Sequence, residues 1–222
     1  MKVLALDTAT LTASIALVED ARVLAGATHD SAGRKADLLV VIDELCREAG
    51  VAPTELDAIA IGAGPGSFTG LRIGMATAKG IAFAAKRPLW AVSTLAALAS
   101  EGGAGLVIGV LDARRGEVFA GCYRDGVLAA PERVLPPAEL AAWIATLGEP
   151  ARFVGDALAV HPELSPFADR WQHATPSAAA VARLALAGAR VDVVTTGSPA
   201  YIRMAEAELK YPDGIPGALR KR

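Results

Sequence analysis

With 222 residues, 53% of them hydrophobic and 21% charged, the chain has ample material for a buried core and is apolar for a water-soluble protein. A formal net charge of −2 argues against autonomous nucleic-acid binding, which needs a basic face, and the cluster Arg220-Lys221-Arg222 reads as a solvated terminus. No run reaches the ~20 uninterrupted apolar residues of a membrane span, and Met1-Lys2-Val3-Leu4-Ala5-Leu6-Asp7 meets an acid too early for a secretory leader. Cys46 and Cys122 supply no CxxC and no disulfide framework, so a reducing cytoplasm is expected, with both thiols as small core residues.

In chain order, the first predicted elements are three short strands: Val3-Leu4-Ala5-Leu6-Asp7, then Ser14-Ile15-Ala16-Leu17-Val18, then, after the turn Glu19-Asp20, Val23-Leu24-Ala25. About a hundred residues later the pattern returns as Val107-Ile108-Gly109-Val110-Leu111-Asp112, Val118-Phe119-Ala120-Gly121-Cys122-Tyr123 and, after Asp125-Gly126, Val127-Leu128-Ala129. Asp7 precedes Asp20 by the interval that separates Asp112 from Asp125. Matched spacing of this kind is the mark of an internal duplication, and Asp-Gly is a strong hairpin signal. After the first meander the patterning predicts a helix over 34–49, a strand over 56–61, a helix over 67–85, a strand over 89–92 and a helix over 94–100. After the second it predicts a helix over 137–147, a strand over 152–154 and a helix over 176–187. Gly102-Gly103-Ala104-Gly105 is the natural linker. The expected fold class is α/β, with two lobes of mixed sheet flanked by helices.

Between the strand at 56–61 and the next helix runs Gly62-Ala63-Gly64-Pro65-Gly66-Ser67-Phe68-Thr69-Gly70-Leu71-Arg72-Ile73-Gly74. Two readings stand side by side. Gly64 and Gly66, with Ser67 or Thr69 capping the helix, form a candidate anion loop at a helix N-terminus; equally, the run is a tight strand-to-helix turn. No Gly-Lys-Ser/Thr follows at Walker spacing. The helix itself carries only Arg72 and Lys79 as charges between Phe68 and Ala85, and a helix apolar nearly all round must be covered on more than one side. Gly70, Gly74, Ala78 and Ala82 recur at four-residue steps, a face that admits another backbone closely, whether the chain's own or a partner's. In the preceding helix Leu38, Val41, Ile42, Leu45 and Ala49 form a core stripe that Leu39 and Cys46 widen, with Val40 on the charged side. Burial of both helices against another chain is the expectation.

Asp7-Thr8-Ala9-Thr10, the run from Gly64 to Gly74, Ser93-Thr94-Leu95, Asp112-Ala113-Arg114 with Gly116-Glu117-Val118, and Tyr201-Ile202-Arg203 together resemble the TsaB family, also called YeaZ, over almost the whole chain in order. The resemblance implies a duplicated actin-like (ASKHA, ribonuclease H-like) fold without a working ATPase site. It divides the chain into an N-terminal lobe (1–102), a C-terminal lobe (103–197) and a C-terminal segment (198–222) packed back on the first lobe. It further implies a non-catalytic scaffold and activator that forms a heterodimer with TsaD, the subunit that transfers threonylcarbamoyl to adenosine 37 of tRNA. The small ATPase TsaE joins that pair, and a homodimer forms in the absence of TsaD. On this view tRNA is met only indirectly, no cofactor is held tightly, and ATP or ADP engages only in the complex. The implied interface residues are Leu39, Val40, Asp43, Gly70, Arg72, Gly74, Ala78 and Ala82. One departure is noted: family members often carry a His ahead of the first interface helix, where this chain reads Gly33-Arg34-Lys35-Ala36-Asp37.

Two other functions are weighed on the residues. An ATP-dependent phosphotransferase of the acetate- or sugar-kinase type would use Asp7 and Asp112, acids closing strands, to hold magnesium and nucleotide in a cleft; Arg114 beside Asp112 equally suits a structural ion pair. Metalloprotease chemistry lacks its ligands, because His29, His161 and His173 form no pair at zinc spacing.

Overall fold

Both sides of the first strand are apolar, and that requires a helical layer on each face of its sheet. In the computed structural model, which describes residues 1–20, 22–30, 38–194 and 197–202, β1 (Lys2–Asp7) turns Leu4 and Leu6 to one face and Val3 and Ala5 to the other. It pairs antiparallel with β2 (Thr12–Glu19), which pairs antiparallel with β3 (Arg22–Asp30). On its other edge β1 pairs in parallel with β4 (Ala58–Gly62), and β4 with β5 (Leu89–Val92).

On the leucine face lie α1 (Leu38–Glu48), over β2 and β3, and α2 (Phe68–Ala85), over β1, β4 and β5. Leu38, Ile42 and Leu45 of α1 and Met75, Ala78 and Ala82 of α2 close over Leu4, Leu6, Ile59 and Ile61. The opposite face has alanines at its centre, Ala5, Ala16, Ala58 and Ala60, with Val3, Val18, Trp90 and Val92 in the same cluster, and receives α5 (Ala178–Leu186) through Ala178, Val181, Ala182 and Ala185. Short side chains on both partners let this helix sit close to the sheet. Ser177 caps α5, and Ala178 N donates to Ser14 Oγ at 2.9 Å.

The duplication is borne out in the second sheet. β6 (Leu106–Arg114), β7 (Glu117–Arg124) and β8 (Val127–Leu135) repeat the meander, and β9 (Arg152–Gly155) and β10 (Trp171–His173) extend it in parallel beyond β6. Asp20 and Asp125 both take positive φ at the corresponding turns. α4 (Pro137–Ala145) and the 3-10 run Pro162–Arg170 cover one face with Leu140, Trp143, Ile144 and Leu164. The other face is covered by α3 (Thr94–Ala99), which enters it with Leu95, Leu98 and Ala99.

The halves therefore interlock: α3, from the first half of the chain, covers the second sheet, and α5, from the second half, covers the first. The return to the first lobe also begins earlier than residue 198, because α5 and the two-residue β11 (Val191–Asp192, paired with β5) already belong there. Periodicity identifies such helices but not the sheet that receives them. The expected His departure at 33–37 and the basic tail lie outside the described residues.

The small-residue stripe of α2 is turned inward. Gly74, Ala78 and Ala82 are buried and Gly70 is half-buried, so the first three cannot form an outer face for another chain. Their smallness serves the chain itself. A Cβ on Gly70 would lie 2.1 Å from Thr8 O, and one on Gly74 would lie 2.1 Å from Thr8 Oγ1. Gly74→Ala is expected to cost about 1–3 kcal/mol by overpacking, and Ala78→Glu to prevent folding because it buries an unpaired charge. Urea denaturation checks both; a well-folded Ala78→Glu protein would contradict the inward placement.

Candidate functional site

Among the described residues, two features outside the core gather the candidate residues: the outward faces of α1 and α2, and a cleft between the lobes. On α2 the outward residues are Arg72, Ile73, Ala76, Gly80, Phe83 and Ala84, with Ile73 53% and Phe83 82% exposed. On α1 the outward apolar residues are Leu39 and Val40, each about half exposed, while Asp43 pairs with Arg47 one turn on at 2.6 Å. Both helices lie on the same side of the sheet over neighbouring strands, so these residues belong to one side of the molecule. Of the interface candidates, Leu39, Val40, Asp43 and Arg72 face solvent. Ile73 and Phe83 were missed by the sequence reading, although their phase opposite Gly74 and Ala82 on the helical wheel is a usable signal.

Arg72 is tied to the C-terminal segment. Its Nε donates to Tyr201 Oη at 3.2 Å, its guanidinium lies 3.8 Å above the Phe68 ring, and Phe68 and Tyr201 have centroids 5.2 Å apart. The same segment is held by Ala200 N donating to Ala63 O at 2.7 Å and by Lys79 Nζ donating to Gly197 O. Lys79, the other charge in the apolar helix, thus serves an internal bond.

The interlobe cleft, about 770 Å³, is lined on one side by Gly66, Ser67 and Thr69 and on the other by Asp112, Arg114 and Asp156. Gly66 is small because Ala9 O would lie 2.4 Å from its Cβ, and buried Gly64 is closed over by Ala200 O at 2.9 Å from its own. Ser67 N donates to Ala9 O at 2.7 Å, and Ser67 Oγ caps the helix by accepting from Gly70 N at 3.3 Å. The tight-turn reading of the run therefore accounts for its glycines and its serine.

The structure separates the two candidate acids. Asp7 does not line the cleft: it is fully buried, accepting from Ala9 N and from Thr94 Oγ1, both at 2.9 Å. Thr94 Oγ1 in turn accepts from Gly64 N at 3.2 Å. Gly62 makes room for this carboxylate, since a Cβ there would lie 1.8 Å from Asp7 Oδ2. Asp112 does reach the cleft wall, but its carboxylate accepts from Arg114 N at 2.9 Å, pairs with Arg114 Nε at 3.5 Å and meets His161 Nε2 at 3.0 Å. Asp156 accepts from Asp112 N at 2.9 Å, and burial followed by the charge of Asp112 raises its pKa. Thr94, from the Ser93-Thr94-Leu95 stretch, meets Asp7, and Asp156 and His161, which carry no motif, meet Asp112; these contacts arise only in the fold. Among the described residues no three His, Cys, Asp or Glu side chains converge as metal ligands, and no helix is long and apolar enough to cross a membrane.

Burial pushes the pKa of Asp7 up to about 6, against the lowering effect of its two hydrogen bonds. Because the folded state holds this proton more tightly than the unfolded chain, the stability linked to it is present below pH 4 and is lost as pH rises through about 6. The loss is on the order of 3 kcal/mol at 1.36 kcal/mol per pKa unit. Relative to the native chain, Asp7→Asn is expected to gain stability by that order between pH 4 and 7, whatever its fixed offset. Urea melts of both proteins across this range check it; a pH-independent difference would rule the shift out.

The chain matches the family model described as TsaD, tRNA N6-adenosine threonylcarbamoyltransferase, over residues 31–216. It is 33% identical over 228 residues to the tRNA threonylcarbamoyladenosine biosynthesis protein TsaB of Bacillus subtilis, covering 95% of this chain and 98% of the relative. The Escherichia coli protein of the same description is 38% identical over 128 residues, or 56% of this chain and 55% of that one. Among solved structures, YeaZ from Pseudomonas aeruginosa superposes with a TM-score of 0.73 at 35% identity, over 90% of this chain and 99% of that one. The ethanolamine utilization protein EutJ from Carboxydothermus hydrogenoformans, TM-score 0.52 at 14% identity over 82% of this chain and 90% of that one, shares the fold alone. Two mixed sheets flanked by helices, in duplicated actin-like (ASKHA) form, and a relative matched from end to end lead to one conclusion: the chain belongs to the TsaB (YeaZ) family of tRNA threonylcarbamoyladenosine biosynthesis proteins, within the wider family that the TsaD model describes.

Proposed function

We propose that this chain is a non-catalytic subunit of the machinery that places threonylcarbamoyl on adenosine 37 of tRNA, acting as scaffold and activator by docking on the TsaD transferase. The observation that carries the reading is the outward apolar face of α2, with Phe83 82% exposed, on the same side of the sheet as the exposed Leu39 and Val40 of α1. Aromatic and aliphatic side chains grouped on one side of a molecule suit burial by another protein. A subunit docked there activates by binding the competent arrangement of its partner more tightly than the incompetent one. The TsaD family match and the Bacillus subtilis relative support the choice of pathway and partner, and those biosynthesis relatives leave the phosphotransferase alternative without support.

The placement of the two acids favours a scaffold. Asp7 is taken up by Ala9 and Thr94, and Asp112 lies between Arg114 and His161. A nucleotide-hydrolysing site needs carboxylates directed at a metal and its phosphates. In this reading no nucleotide is resident, ATP or ADP engages only in the assembled complex with TsaE, and tRNA is reached through the other subunits. In the absence of TsaD the same face pairs with a second copy. The cytoplasm is the compartment the reading requires.

Phe83→Asp and Ile73→Asp are expected to leave the melting temperature within a few degrees and to weaken binding to TsaD at least about tenfold, the loss typical of a central interface anchor. Calorimetric titration checks this, and unchanged affinity in both variants would remove α2 from the interface. For the scaffold role, the purified chain alone is expected to hydrolyse ATP no faster than buffer does; sustained turnover that follows the protein through purification would overturn it.

A further inference from the structure

Three consecutive residues at the start of α3 reach into three different parts of the molecule. Ser93 Oγ caps α3 by accepting from Ala96 N at 3.1 Å, and it donates to Glu132 Oε1 on β8. Tyr123 Oη on β7 donates to the same carboxylate oxygen and lies 3.3 Å from Ser93 Oγ. Gly121 leaves the space for this pair, since a Cβ there would lie 2.9 Å from the Tyr123 ring and 3.2 Å from Glu132 Cγ. Burial, then the Glu132 charge, pushes the Tyr123 pKa upward, so its phenol remains a donor.

The next residue, Thr94, faces the other lobe. Its Oγ1 donates to Asp7 Oδ2 and accepts from Gly64 N, and its own N–H donates to Gly64 O at 2.9 Å. Leu95 is fully buried in the core under the second sheet, where its carbonyl lies 3.0 Å from the position a Cβ on Gly109 would take. Two adjacent residues of one short, enclosed helix start therefore connect the far edge strand of the second lobe to the glycine loop that leads into α2.

We infer that Glu132, acting through Ser93 and Thr94, is a positioning residue for the glycine loop and for the docking face of α2. A close-packed interior passes displacement from one element to the next rather than absorbing it. Ser93 Oγ is held by Ala96 N as well as by Glu132, so turning the side chain to follow a displaced acceptor breaks the cap, and keeping both bonds moves the peptide it shares with Thr94. Thr94 cannot move without shifting its bonds to Asp7 and Gly64. The consequence for partner affinity rests on the docking reading above; the link between Glu132 and the glycine loop does not.

The test compares full-length variants by amide hydrogen exchange over residues 63–71. Glu132→Ala is expected to raise exchange there about tenfold. Tyr123→Phe, which removes one of the two donors, is expected to raise it about threefold. Glu132→Gln retains an acceptor oxygen and restores protection to within twofold of the native chain. Leu164→Ala, in the core under the opposite face of the second sheet, lowers the melting temperature but leaves exchange at 63–71 unchanged. Native-like exchange in Glu132→Ala would overturn the inference, and so would an equal rise in Leu164→Ala. In parallel, Glu132→Ala is expected to weaken TsaD binding at least threefold. Raised exchange with unchanged affinity would uphold the link and count against α2 as the docking helix.

Discussion

Helix α2 approaches the turn after β1 at a distance that only glycine allows. With Gly66 under Ala9 O, Gly70 under Thr8 O and Gly74 against Thr8 Oγ1, any side chain at these positions would collide with the turn. Thr8 Oγ1 donates to Gly70 O, and Ser67 N donates to Ala9 O, so the contact is fixed by hydrogen bonds as well as by shape. The remaining geometry of the first lobe follows from it. The helix is held by one side near its N-terminus, which determines which residues enter the core and which are left outward.

That constraint reassigns the signals of the apolar helix. The small-residue stripe is consumed by the chain's own turn and sheet, and the larger apolar residues, Ile73 and Phe83, occupy the opposite face. A helix in this position has one internal debt of packing and one external, and the external one is read from exposed bulk, not from smallness. The acids follow the same logic. Asp7 closes its strand into a pocket made by Gly62 and Thr94, while Asp112, its counterpart in the repeat, reaches the cleft wall and is held by Arg114 and His161. Equivalent positions in a duplicated fold thus have different surroundings, and neither presents a carboxylate free of protein donors.

The lobes are joined by more than a linker. α3 packs on the second sheet and α5 on the first, so each half supplies a cover that the other lacks. Such an arrangement removes one apolar sheet face per lobe from solvent. It also places the start of α3 where contacts from both lobes meet, and this gives Ser93-Thr94-Leu95 a structural meaning that its composition does not convey.

Much of the architecture was legible in the sequence because it depends on local periodicity. The repeated strand–Asp–turn spacing marked the duplication, the short apolar runs bounded by turns marked the strands, and the glycine run with Ser67 marked the start of α2. These are properties of consecutive residues and need no knowledge of neighbours. The face of α2 that meets the core, the destination of α3 and α5, the partners of Asp7 and Asp112, and the Ser93–Glu132–Tyr123 contact were decided only by the tertiary structure. Each depends on groups distant in the chain, Thr94 reaching back to Asp7 and His161 to Asp112. Small residues at four-residue steps specify that something comes close; the identity of what comes close is set by packing across the sheet, because a helix surface of glycine and alanine fits the chain's own turn as well as it fits another molecule.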